Sequence, residues 1–363
     1  MFHVYLGIDP VTRKEKRVTR RGFEKRKNAQ IALNKILNDY DEGMLLKDSN
    51  ITFTELYDLW IEQYRLRVKP SSVAVAQRFC KKHIIPAFGN LKLNTITVAY
   101  CQKIVNQWHK KYKQYAFLRK TTAQIMRFGI AMELLNSNPM AKTLLPRKIE
   151  VEKPINFYSK EELHVFLDCT EKYDNQKIHT FFRLLAFTGM RKSEALSLQW
   201  RDIDFVNKNL QIGKTIAIDE FGKVILQVPK TISSFRKIQI DDKTLFELKK
   251  WHNIQQQQYL QIGMNVSSSE QFIFTNDRNE LYYPQAVNDW LYYLLKKYQL
   301  KRITPHGFRH THCSLLFESG ASIKEVQARL GHKDIKTTMN IYAHVTEQTI
   351  EETGKRFAQY VNF

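Results

Sequence analysis

From Gln63 to Met132 the chain runs for 70 residues without one aspartate or glutamate, while carrying 14 lysines and arginines. A solvated face ordinarily mixes both signs, so a stretch this long with a single sign points to a polyanionic partner. The stretch is nevertheless patterned to fold. Phe53, Leu56, Leu59, Trp60 and Tyr64 recur at helical spacing behind the cap candidates Thr52 and Thr54. Ile96, Cys101, Ile104, Val105 and Trp108 mark a second helix. Leu118, Ile125, Met126, Ile130 and Leu134 mark a third, closed by Asn136-Ser137-Asn138-Pro139. Pro70 and Pro86-Ala87-Phe88-Gly89 punctuate between them. The pattern predicts an all-helical module over residues 50–146, basic on whatever surface it exposes.

Over all 363 residues Lys plus Arg number 57 against 36 acids, a formal charge of +21, so two thirds of the surplus sits in a fifth of the chain. A basic surplus of this size serves nucleic acid or an anionic membrane face. The membrane reading lacks its element: apolar runs such as Leu184-Leu185-Ala186-Phe187 have core-helix length, and Met1 to Ile8 shows no signal-peptide pattern. A cytosolic location is expected. The four cysteines, Cys80, Cys101, Cys169 and Cys313, are scattered, which argues for reduced buried thiols and against a disulfide framework or zinc ribbon.

Residues 1–47 read differently. Phe2 to Ile8 and Lys16 to Thr19 look like short strands around Asp9-Pro10, Arg21-Gly22-Phe23 could add a third, and Asn28 to Tyr40 reads as a helix. Nine basic residues fall between Arg13 and Lys27, which suits a small sheet that reads a DNA groove or backbone. Phosphate contacts are expected from Arg20, Arg21 and Lys25 there, and from Arg65, Lys69, Arg78, Lys81, Lys82, Lys120 and Arg127 in the helical module. A polar stretch at 147–157 reads as the linker to a larger domain at 158–363. That domain opens on a capping box, Ser159-Lys160-Glu161-Glu162. Its helices are interrupted by strand-like segments at Leu210–Ile212, Thr215–Ile218, Val224–Val228 and Lys237–Ile240, taken as one small sheet, and Gln255–Gln258 reads as exposed helix surface. The expected fold class is mainly α with small β-sheets.

The chemistry concentrates in this last domain. Thr188-Gly189-Met190-Arg191-Lys192-Ser193-Glu194 is followed by His306-Gly307-Phe308-Arg309-His310, then Leu330-Gly331-His332, then Asn340-Ile341-Tyr342. Arginine forks suit the non-bridging oxygens of a phosphodiester, histidines move or donate protons near neutral pH, and a tyrosine can attack phosphorus. His310 and His312 invite a metal reading, but no carboxylate accompanies them and Arg309 would repel a cation, so helix packing is the better reading.

In order and spacing these motifs resemble the tyrosine recombinase (phage integrase) family across residues 155–363, and the upstream regions resemble the arm-binding and core-binding domains of integrases from phages and conjugative transposons. The resemblance implies that Arg191 and Arg309 clamp the scissile phosphate and that Glu194 orients Arg191. It makes His306 a proton-transfer group, His332 a hydrogen-bond donor to the phosphate, and Tyr342 the nucleophile. A general-acid lysine belongs on a β-turn, where Pro229-Lys230-Thr231 fits and Lys214 and Lys237 compete. The implied activity is strand exchange through a 3′-phosphotyrosine bond, with neither cofactor nor metal. The implied partners are double-stranded core and arm sites, three further copies of the chain, and an excisionase or host DNA-bending protein. The helix expected from Glu347 to Val361 would pack on a neighbouring subunit. A type IB topoisomerase would use a similar site without paired DNA sites, and a catalytically silent DNA-binding regulator would have lost part of it.

Overall fold

The computed structural model describes residues 1–8, 15–41, 51–147, 156–228, 235–331, 335 and 338–339. The chain divides into two units, Met1–Glu150 and Val151–Phe363. The first begins with an antiparallel hairpin of β1 (Phe2–Ile8) and β2 (Glu15–Arg20), on which α1 (Arg26–Asp41) packs. The third strand expected at Arg21-Gly22-Phe23 is not formed. Gly22 takes a left-handed φ of 85°, which turns the chain, and the Phe23 ring stacks on Phe2 at 5.5 Å.

The helical part follows most of the expected apolar spacing. Thr52 and Glu55 close a capping box on α2 (Phe53–Arg67). Pro70 then opens α3 (Pro70–Phe79) at its first turn, where a missing N–H costs nothing. A π-turn at Cys80–Ile84 leads into the short α4 (Ile85–Phe88), so both prolines start helices rather than separate them. Thr97 caps α5 (Val98–Lys111), and α6 (Tyr115–Ala131) completes the set. Phe53, Leu56, Phe88, Cys101, Val105, Leu118, Ile125 and Met126 form its buried centre. Leu59 and Ile130, read as core from spacing, lie at the edge of the stripe, 43% and 37% exposed.

The second unit starts with α7 (Lys160–Lys172), capped by the Ser159–Glu162 box, and α8 (Gln176–Thr188), buried on nearly every side from Ile178 to Ala186. After α9 (Lys192–Ala195) come β3 (Ile203–Asp204), β4 (Asn209–Ile212), β5 (Thr215–Ile218), β6 (Val224–Gln227) and β7 (Arg236–Gln239). They form two sheets, not one: an antiparallel β3-β4-β7 sheet and a separate β5-β6 hairpin. Four helices follow: α10 (Asp242–Gln261), α11 (Ala286–Lys297), α12 (Gly307–Glu318) and α13 (Ile323–Leu330). Phe166, Phe182 and Phe308 meet at the centre with ring centroids 4.9 to 5.5 Å apart, which fixes α12 against α7 and α8.

Gln255 corrects the surface reading of its run. It is fully buried, accepts from Trp200 Nε1 at 2.8 Å and donates to the Phe272 and Ile273 carbonyls. Cys80, Cys101 and Cys313 are buried and Cys169 half-buried, all four as free thiols. Among the described residues no helix is long and apolar enough to cross a membrane. The architecture is mostly helical with small antiparallel sheets, as the sequence led one to expect.

Candidate active site

The site is built where α8 stops. Gly189 caps that helix with a left-handed φ of 63°, and a Cβ there would meet Leu330 Cδ2 at 2.6 Å and His312 Cδ2 at 2.7 Å. The turn delivers Arg191 to the N-cap of α9, in extended conformation. Its N–H donates to Glu194 Oε2 at 2.9 Å and its Nη1 to Glu194 Oε1 at 2.7 Å. The Glu194 side chain is 3% exposed while that of Arg191 is 42% exposed. One edge of the guanidinium is therefore anchored and the rest faces solvent, the arrangement a phosphate clamp needs.

Glu194 has a second cation. Arg236, on β7 and 5% exposed, donates from Nη2 to Glu194 Oε2 at 2.9 Å. Burial alone would raise the Glu194 carboxyl, but Arg236 first and Arg191 next outweigh it and hold the group below the ordinary carboxylate range. Arg309, in the first turn of α12 and 1% exposed, donates from Nη1 to the Gly189 carbonyl at 2.9 Å and from Nη2 to the Leu330 carbonyl at 2.7 Å. Desolvation, with the charges of Arg191 and Arg236 behind it, lowers Arg309 to about 9, which leaves it protonated at neutral pH.

His306 precedes α12, with its ring edge-on to His310 at 4.7 Å between centroids. Desolvation, then His310, Arg309 and Arg191, lower it from its ordinary 6.5 to about 4, although the residue keeps an exposed edge. At neutral pH the ring is uncharged and able to accept a proton. The approach to α12 is held by Asn156, whose Oδ1 accepts from the N–H of Thr304 at 2.9 Å and from its hydroxyl at 2.7 Å. Gly307 is required beneath it, since a Cβ would meet Asn156 Oδ1 at 2.5 Å. Two residues on, the Tyr158 N–H donates to Thr311 Oγ1 at 2.9 Å.

α13 ends against the same groups. Gly331 caps it in the left-handed region, the Leu330 carbonyl takes Arg309, and the Arg329 carbonyl accepts from Arg236 Nε at 2.9 Å. The Arg329 side chain donates from Nε to His312 Nε2 at 3.0 Å and from Nη2 to the Phe187 and Gln239 carbonyls. A carbonyl can only accept, so the 2.8 Å contact between His312 Nδ1 and the Ala186 oxygen puts the proton on Nδ1. Burial and Arg329 push this ring down to about 3, and with both nitrogens engaged it is structural.

Arg191, Glu194, His306 and Arg309 are thus brought together. Lys230, His332, Tyr342 and the 347–361 helix lie outside the described residues. The strands flanking Lys230 belong to different sheets, β6 pairing with β5 and β7 with β4. Lys214 is engaged with Gln199 and lies 3.9 Å from Asp202, and Lys237 is exposed on β7. Among the described residues no group of three or more metal-ligating side chains converges. In the first unit Arg20, Arg21, Lys25, Arg65, Arg78, Lys81, Lys82, Lys120 and Arg127 are exposed and Lys69 is half-buried at the N-cap of α3. Arg78 lies over the Phe79 ring at 5.5 Å.

Sequence reasoning missed Arg236, Arg329 and Asn156. For Arg236 a signal existed: in β7 the buried phase is Arg236 and Ile238 and the exposed phase Lys237 and Gln239, so an arginine occupies an inward position.

The phage integrase family model matches residues 156–349, and the phage integrase N-terminal SAM-like domain matches residues 52–109. The chain is 27% identical over 353 residues to the ICEBs1 integrase of Bacillus subtilis (strain 168), covering 94% of this chain and 92% of the relative. The fold is similar to the Tn1549 transposon integrase in complex with circular intermediate DNA, with a TM-score of 0.68, 22% identity and coverage of 85% of this chain and 100% of the other. It is also similar to a lambda integrase tetramer bound to a Holliday junction, with a TM-score of 0.59, 19% identity and coverage of 92% and 90%. With the family model spanning more than half its length, the chain belongs to the phage integrase family and is a site-specific tyrosine recombinase.

Proposed function

We propose that Arg191, Arg309, His306, His332, Lys230 and Tyr342 form one strand-transfer site, with Glu194 orienting Arg191. The observation that carries this reading is the half-open Arg191 guanidinium, tied to buried Glu194 beside Arg309 and the neutral His306. Tyr342 gives up its phenolic proton, with His306 as the acceptor, and its oxygen bonds to phosphorus. The bond from phosphorus to the 5′ oxygen breaks, and that oxygen takes a proton from Lys230. Extra negative charge on the pentacoordinate phosphorus is met by Arg191, Arg309 and His332. A second 5′ hydroxyl reverses the step, since the phosphotyrosine bond retains the energy of the phosphodiester.

The exposed basic residues of the helical region at 50–146 would hold the core site and those of residues 1–47 a separate arm site. Paired sites and a homotetramer fit this reading, because a similar fold occurs in a tetramer on a Holliday junction. An excisionase or DNA-bending protein and a cytosolic, nucleoid-associated location complete it.

The test is a nicked duplex carrying the element's end sequence, which traps the covalent intermediate. A detergent-resistant protein–DNA adduct is expected, lost in Tyr342→Phe and reduced about 100-fold or more in Arg191→Ala and Arg309→Ala. An adduct that survives Tyr342→Phe sinks the nucleophile assignment. Removing residues 1–47 should spare core cleavage and abolish integration into arm-containing DNA; unchanged integration refutes the arm role.

A further inference from the structure

Glu194 offers two carboxylate oxygens and the protein uses both. Oε1 takes the Arg191 guanidinium, and Oε2 takes the Arg191 N–H together with Arg236 Nη2. The plane of the carboxylate is thereby fixed, and with it the rotation of the guanidinium it holds. The other end of Arg236 is equally committed, since Nε reaches the Arg329 carbonyl at 2.9 Å. That carbonyl and the next, Leu330, belong to the last turn of α13, where helical carbonyls have no partner within the helix. Arg236 takes one and Arg309 the other, immediately before Gly331 and His332.

We propose that Arg236 is a positioning residue that, through Glu194 and the Arg329 carbonyl, holds Arg191 and the approach to His332 in register with each other. The proposal rests on the reading of Arg191 and His332 as phosphate ligands. Without Arg236 the buried Glu194 carboxylate keeps a single cation, and it recovers compensation by drawing Arg191 inward, away from its open edge. At the same time the Arg329 carbonyl loses its donor, so Arg191 and the end of α13 drift independently. A lysine would restore the charge, but a single ammonium cannot reproduce the fixed fork that spans a carboxylate and a carbonyl.

The test compares full-length wild type, Arg236→Gln and Arg236→Lys on the nicked core-site duplex under single-turnover conditions. The scissile group is either an ordinary phosphate or a methylphosphonate, which carries no charge for a guanidinium to neutralise. Arg236→Gln should bind the duplex within about threefold of wild type and form the Tyr342 adduct about 10- to 100-fold more slowly on phosphate. On methylphosphonate that deficit should shrink at least about fivefold, because a misplaced clamp matters less there. Arg236→Lys should fall between, and it carries the test if Arg236→Gln does not fold. Wild-type cleavage rates in both variants overturn the proposal. So does an equal loss on both substrates that tracks a lowered melting temperature, which would mark a purely structural arginine. If wild type forms no Tyr342-dependent adduct, the strand-transfer reading fails and this proposal falls with it; a normal wild-type adduct with unaffected variants sinks the proposal alone.

Discussion

Replacing Gly189 by alanine isolates the contact on which the site closes. Two costs add. A left-handed φ of 63° costs an L-residue about 1–2 kcal/mol. The new methyl must also displace Leu330 Cδ2 and His312 Cδ2, at 2.6 and 2.7 Å, and overpacking of this kind costs about 1–3 kcal/mol. Neither neighbour yields easily, since the His312 ring is held from both sides and the Leu330 side chain is fully buried. The sum is about 2–5 kcal/mol, a fall in melting temperature of roughly 5–15 °C for a unit of this size. Gly320→Ala is the matched control: its φ is 90° but nothing lies within 4 Å of the added methyl. It should show the backbone cost alone, about 1–2 kcal/mol, with cleavage intact. Thermal unfolding and adduct formation measured on both variants decide the matter. Equal destabilisation of the two, or wild-type cleavage by Gly189→Ala, refutes the argument that this close approach sets the Arg309 geometry.

Two further predictions concern buried polar groups. Gln255→Leu strands the Trp200 indole N–H and should cost about 1–3 kcal/mol in urea unfolding, whereas an unchanged midpoint would show that the amide is dispensable. The His312 ring should stay in its neutral Nδ1–H form down to pH 5 by imidazole nitrogen NMR, and a titration near 6.5 would contradict the assigned bonds. Its depressed pKa means that the unfolded chain takes up the proton first. This group's contribution is therefore intact above about pH 6.5 and erodes as pH falls toward 3, so His312→Gln should flatten the acid side of the stability profile.

Much of the site was legible because its groups announce themselves in short motifs. Arg191 and Glu194 lie three residues apart just after the glycine that caps α8, and His306 and Arg309 lie at the N-cap and in the first turn of one helix. What escaped were pairings that only tertiary structure creates. β4 pairs with β7 and skips the β5-β6 hairpin between them, so four strand-like runs looked like one sheet. Gln255 sits in a run of four glutamines, and its partners Trp200, 55 residues upstream, and the Phe272 and Ile273 carbonyls make that position internal. Arg236 could have been suspected from its inward phase in β7, but its partner Glu194 is 42 residues upstream, beyond any local pattern.

Asn156 fixes where a trimmed form of the second unit must begin. Composition suggested a start at residue 158, after a polar connector. A chain cut there would leave the Thr304 N–H and hydroxyl without their acceptor, and would open a hole over Gly307 just ahead of Arg309. Such a fragment could still pack its phenylalanine centre and pass as folded while its α12 N-terminus had slackened. A fragment that begins before Asn156 keeps that lashing, so the two forms would differ in cleavage far more than in stability.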